Sequence, residues 1–106
     1  MDLQQGNLFA DSAPPAQGER FESLLRLRGL HLERIVSSAQ PEPGEYCQEQ
    51  DEWVVLLRGE ALLEVAGQRR ALAAGDYVFL PARTPHRVLS TSAGALWLAA
   101  HLAPGG

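Results

Sequence analysis

Few side chains in this 106-residue chain can do chemistry, and most of them fall in two short stretches. The first runs from Glu45 through Tyr46, Cys47 and Gln48 to Glu52, and the second is centred on His86; His31 and His101 stand apart from both. Imidazole nitrogen with carboxylate oxygen is a donor set for zinc, iron, nickel or manganese. Without a metal, the same two groups bind polar ligands or move a proton, a role open to Tyr46 and Glu52 as well. On an extended backbone residues two apart share a side, so Tyr46 and Gln48 face one way and Cys47 the other. Cys47 is the only cysteine, which excludes an internal disulfide and a cysteine-based zinc site within one chain. Its neighbours Glu45 and Glu49 disfavour the thiolate, so it reads as an inert thiol.

Short strands must position these groups. Residues 1–18 read as an irregular arm, because Pro14-Pro15 cannot continue a helix. Residues 19–106 read as one domain. Within it, Glu19 to Ser37 forms two strands joined near Arg28-Gly29, and His31 reads as a surface residue. Pro41 and Pro43-Gly44 mark a loop. Strands follow at Glu52–Leu57, Glu60–Val65, Arg70–Ala73, Tyr77–Leu80, Pro85–Thr91 and Ala95–Leu102, each rich in β-branched, aromatic or aliphatic residues and bounded by Gly or Pro. No later segment sustains a helical period, so the class is all-β, a sandwich or barrel. Several strands are apolar on both faces. One face fills the barrel and the other needs a cover, which predicts a homodimer with Trp53 and Trp97 as core or interface anchors.

Composition narrows the function classes. The net charge is −4 and the nine basic residues, all Arg, are scattered, so there is no basic footprint for nucleic acid. Arg58, Arg83 and Arg87 read as solvated or surface-paired rather than as clamps for an anion. No apolar run approaches the roughly 20 residues of a membrane helix. The amino-terminal stretch lacks the basic start and apolar core of a signal peptide, and the expected location is cytoplasmic.

Two motifs add a resemblance. Glu52-WVVLLR-Gly59 has the Glu, six residues and Gly that end the first cupin motif, and Gly75-DYVFL-Pro81-ARTP-His86 has the Gly, five residues, Pro and later His of the second. The 15 residues between Gly59 and Gly75 are similar to the spacing in compact members of that family. The strings GEYCQEQDEWVVLLRGEA, GDYVFLPARTPHRV and WLAAHL resemble a group of small bacterial cupins without an assigned activity. The resemblance implies a double-stranded β-helix, or jelly-roll barrel, with Glu52 and His86 facing its interior beside Tyr46 and Gln48. It departs from the family pattern in three places. Tyr46 and Gln48 stand where metal-binding cupins usually have His-x-His, Arg83 replaces a Gly, and Ser90 replaces the terminal Asn.

Two functions remain open on this reading. One is a metal-dependent cupin acting on or binding a small molecule, with Glu52, His86, His101 and Gln48 as metal donors and Tyr46 and Glu52 as catalytic groups. The other is a metal-free dimeric cupin that binds a small molecule or serves as a scaffold, without catalysis. Whether the chain is an enzyme is left open.

Overall fold

The computed structural model describes residues 3–105. Eight antiparallel strands account for all the regular structure among them: β1 Glu19–Leu27, β2 Leu30–Ser37, β3 Asp51–Arg58, β4 Glu60–Val65, β5 Gln68–Ala73, β6 Tyr77–Leu80, β7 His86–Thr91 and β8 Ala95–Leu102. One sheet has the order β1-β2-β8-β3-β6 and the other β5-β4-β7. The two enclose a core of Ile35, Val54, Leu56, Leu63, Leu72, Leu80 and Trp97, closely packed with Ala61, Ala95 and Ala99. This is the all-β jelly-roll barrel. The fifth strand begins two residues earlier than its apolar content suggests, because Gln68 pairs with Val65 directly after the Ala66-Gly67 turn. Of the arm expected over residues 1–18, residues 1 and 2 lie outside the described residues, as does Gly106 at the end of the domain.

Register decides which residues enter the barrel. Across the larger sheet, His31 is opposite His101, His101 opposite Glu52, and Glu52 opposite Leu80. Antiparallel partners project to the same face, so one row carries two imidazoles and a carboxylate inward. The neighbouring inward row includes Glu33, Ala99 and Val54, and beyond it come Ile35, Trp97 and Leu56. Leu32, Ala100, Trp53 and Phe79 form an outward row. His31 is therefore not a surface residue. It shares the face of Ile35, and the apolar Leu30 and Leu32 that flank it occupy the opposite face.

The arm lies against the larger sheet. Buried Arg34 donates to the carbonyls of Leu8, Ala10 and Asp11 and pairs with Glu22, while Arg58 donates to Ser12 Oγ. Backbone carbonyls thus satisfy a guanidinium that the apolar sheet surface would otherwise strand.

Gly59 turns the chain from β3 in one sheet to β4 in the other. Its φ is +92°, and a Cβ there would lie 2.6 Å from Ser92 Oγ and 3.0 Å from Ala95 Cα. Gly75 has a similar φ of +96° with nothing within 4 Å. Gly59→Ala should therefore lower unfolding stability by more than about 2 kcal/mol, and Gly75→Ala by only about 1 to 2 kcal/mol. Paired denaturant melts check this; equal losses would show that the close approach at Gly59 is unimportant.

Candidate functional site

The loop before β3 and the loop before β7 are stitched together, and this brings the two chemical stretches into contact. Tyr46 and His86 exchange both backbone hydrogen bonds, at 2.7 and 2.9 Å. Arg83 N–H donates to the Gln48 carbonyl at 2.7 Å, and Ala82 N–H donates to Asp51 Oδ1 at 2.8 Å. Arg83 takes a left-handed φ of +62° to do so, which accounts for the preference for Gly at this place in the motif.

Inside the barrel is a cavity of about 300 Å³. Its lining includes all four residues expected as metal donors, Gln48, Glu52, His86 and His101, together with Tyr46. Cys47 is exposed, as its alternation with Tyr46 and Gln48 requires. Glu52 Oε1 accepts a hydrogen bond from Gln48 Nε2 at 2.8 Å and lies 3.9 Å from His86 Nε2. His86 Nδ1 lies 3.0 Å from the Thr84 carbonyl, which only accepts, so Nδ1 carries a proton and Nε2 faces Glu52. The Tyr46 ring stacks on His86 at 5.8 Å.

His101 belongs to a second group. Its Nε2 lies 3.2 Å from Glu33 Oε1 and its Nδ1 lies 2.8 Å from Gln50 Nε2, so both ring nitrogens are engaged. Its ring stacks on His31 at 5.7 Å, and His31 Nε2 lies 3.0 Å from Ser23 Oγ. The cavity lining therefore includes four polar residues that sequence reasoning passed over: Glu19, His31, Glu33 and Gln50. His31 and Glu33 alternate with Ile35, which is core, but Leu30, Leu32 and Val36 make the other face of β2 equally apolar, so the alternation alone does not choose the inner face. Glu19 and Gln50 carry no comparable sequence mark.

Glu19 is the third carboxylate in the cavity. Ser37 Oγ donates to it at 2.7 Å and in turn accepts from Trp97 Nε1 at 3.0 Å. Burial pushes the Glu19 carboxyl above its ordinary value; the Ser37 bond opposes this, and the charges of Glu52 and Glu33 add to it. Burial, then Glu19 and Glu42, also raise the Tyr46 phenol, which remains a neutral hydrogen-bond donor near pH 7. Trp97, only 4% exposed, forms part of the wall. The arginines stay outside: Arg83 pairs with exposed Glu49, and Arg87 pairs with Glu45 and Glu64.

The donor set does not fit a metal centre as arranged. Among the described residues no three His, Cys, Asp or Glu side chains group so as to hold a metal ion. Glu52 and His86 supply two donors, Gln48 directs its amide at Glu52, and His101 has both nitrogens occupied. Structural zinc sites use four ligands and catalytic ones three.

Comparison with known proteins agrees with the geometry. A model of the cupin domain matches residues 35–101. The chain belongs to the cupin family. A solved structure from Ralstonia eutropha, which carries the provisional name mannose-6-phosphate isomerase, is 40% identical, with a TM-score of 0.87 over 95% of this chain and 99% of that one. A Streptococcus pyogenes protein of unknown function is 17% identical, with a TM-score of 0.80 over 98% of this cupin and 91% of its own length. An RmlC-like cupin from Shewanella frigidimarina is 18% identical, with a TM-score of 0.71 over 94% of both chains. The last two show the fold alone. No curated protein matches this cupin. No helix among its described residues is long and apolar enough to cross a membrane.

The raised carboxyl of Glu19 gives a pH signature. A folded-state pKa above the unfolded one favours folding at low pH, and that contribution is lost as pH rises through the folded value. Glu19→Gln keeps an acceptor for Ser37 and cannot ionise. Its melting temperature should match wild type near pH 4 and exceed it increasingly towards about pH 7. A difference that stays constant across this range would contradict the assignment.

Proposed function

We propose that this cupin binds a small molecule in its barrel interior without a metal ion, with the Glu52–His86 pair and the Glu33–His101 pair as the polar contacts. The mutual engagement of the polar side chains carries this reading: Glu52 takes the Gln48 amide, and His101 is held between Glu33 and Gln50. Groups satisfied by one another need no cation, and a ligand hydroxyl can enter such a network by exchanging one hydrogen bond for another. A concave, partly open hollow with apolar lining and a few convergent polar groups is the usual form of a ligand site. The Ralstonia neighbour, with its provisional isomerase name, makes small carbohydrates the first compounds to test. Tyr46 and Glu52 are the groups best placed for proton transfer should the ligand be turned over, Tyr46 as a donor and Glu52 as an acceptor.

Elemental analysis of freshly purified protein should find zinc, iron, nickel and manganese only well below one atom per chain. Melting should be unchanged by a chelator or by adding any of the four ions. Near-stoichiometric metal that is lost in His86→Ala would overturn this reading in favour of a metal-dependent cupin.

The outer face of the larger sheet supports a homodimer as the working form. Trp53, Tyr77 and Phe79 form an exposed aromatic patch, with Tyr77 and Phe79 each more than half exposed and the Trp53 and Tyr77 rings 5.5 Å apart. Contiguous exposed apolar surface of this kind marks an interaction site, and a second copy would present the same patch in return. Sedimentation should give a dimer for wild type and a monomer for Phe79→Asp. A monomeric wild type would contradict the pairing.

A further inference from the structure

The charge of the cavity restricts what can enter it. Three carboxylates, Glu19, Glu33 and Glu52, line the hollow, and no Arg or Lys stands among its lining residues. Every basic residue in the chain outside the histidines is an Arg. Those nearest in sequence to the site are committed elsewhere: Arg20 to the Asp11 carbonyl, Arg34 to the arm and Glu22, Arg58 to Ser12, Arg83 to Glu49, and Arg87 to Glu45 and Glu64. Phosphate and carboxylate ligands are held by guanidinium or ammonium groups, or by the amides at a helix start. Among the described residues there is no helix. The imidazoles do not substitute, because His101 faces Glu33, His86 faces Glu52 and His31 is bonded to Ser23.

The same lining suits hydroxyl groups. Carboxylates accept from them, the carboxamides of Gln48 and Gln50 both donate and accept, and Tyr46 adds a donor. The rest of the lining includes Ile35, Val54, Leu80 and Trp97 from the larger sheet and Leu63 and Val88 from the smaller one, apolar surface for the C–H groups of a ring. About 300 Å³ is at the lower limit of ligand pockets, which fits one sugar ring or cyclitol and little more.

We infer that the cavity takes an uncharged, hydroxyl-rich compound of monosaccharide size and rejects the phosphate ester or uronate of the same compound. This inference rests on the reading that the barrel interior is the binding site. It adds the charge selectivity and names the carboxylates of Glu19 and Glu33 as its source.

The test is ligand-observed NMR on the full chain with a panel of neutral pentoses, hexoses and cyclitols, their monophosphates and the corresponding uronates. Val88→Phe, which fills the cavity from β7, serves as the control, and His31→Trp fills it from the opposite sheet in case the first does not fold. The expected result is binding of one or more neutral compounds, lost in the filled variant, with the anionic derivative at least about tenfold weaker. In the Glu19→Gln/Glu33→Gln variant that preference should shrink. Cavity-dependent binding led by phosphates or uronates would overturn the charge inference while leaving the barrel as the binding site. Binding unaffected by filling the cavity, or no binding by any class, would overturn both.

Discussion

A carboxylate taken out of water needs a partner close at hand, and the interior of this barrel holds three carboxylates with no arginine beside them. The partners come from the same interior: imidazoles, carboxamides and a serine hydroxyl, each placed by strand register or by a loop tied to the opposite motif. Removing one member of such a pair leaves the other buried and unsatisfied, which costs more than the pair contributes when intact. The polar interior is therefore a single constraint on the fold. It requires β2, β8 and β3 in their observed register, because a slip of one residue would turn His31, His101 and Glu52 to the outer face and bring apolar side chains inward in their place.

Site and scaffold are connected through the backbone. The bridge between Tyr46 and His86 and the bond from Arg83 to Gln48 fix the long loop before β3 against the short loop before β7. Gly59 permits the change of sheet that lets β3 and β4 face different walls of the same hollow. On the outside, Arg34 and Arg58 hold the arm, and the remaining aromatic surface is concentrated around β3 and β6. The cavity lining holds three of the 13 acidic residues and none of the nine arginines, an acidic concentration that the net charge of −4 does not reveal.

Much of this was legible in the chain. Strand positions followed from apolar runs ending at Gly or Pro, and the meeting of Glu52 with His86 followed from the two motifs. His31 was misread because Leu30 and Leu32 look like the buried face of β2. In a sheet covered on both sides hydrophobicity cannot tell inside from outside, and only pairing with His101 does so. Glu19 and Glu33 were missed for a related reason: acidic residues on strands usually mark the solvent face, and their partners Ser37 and His101 lie 18 and 68 positions away in sequence. Distant register is the part that no local pattern encodes.

The direct test of mutual satisfaction inside the barrel is the protonation of its imidazoles. Long-range proton–nitrogen correlation spectra of the labelled protein report which ring nitrogen carries hydrogen. In its neutral form His86 should carry its proton on Nδ1, held by the Thr84 carbonyl, and neutral His101 on Nε2, held by Glu33, with both patterns indifferent to chelator. The same tautomer at both rings in rapid exchange, or a His86 Nε2 signal displaced by a bound metal ion, would contradict the account.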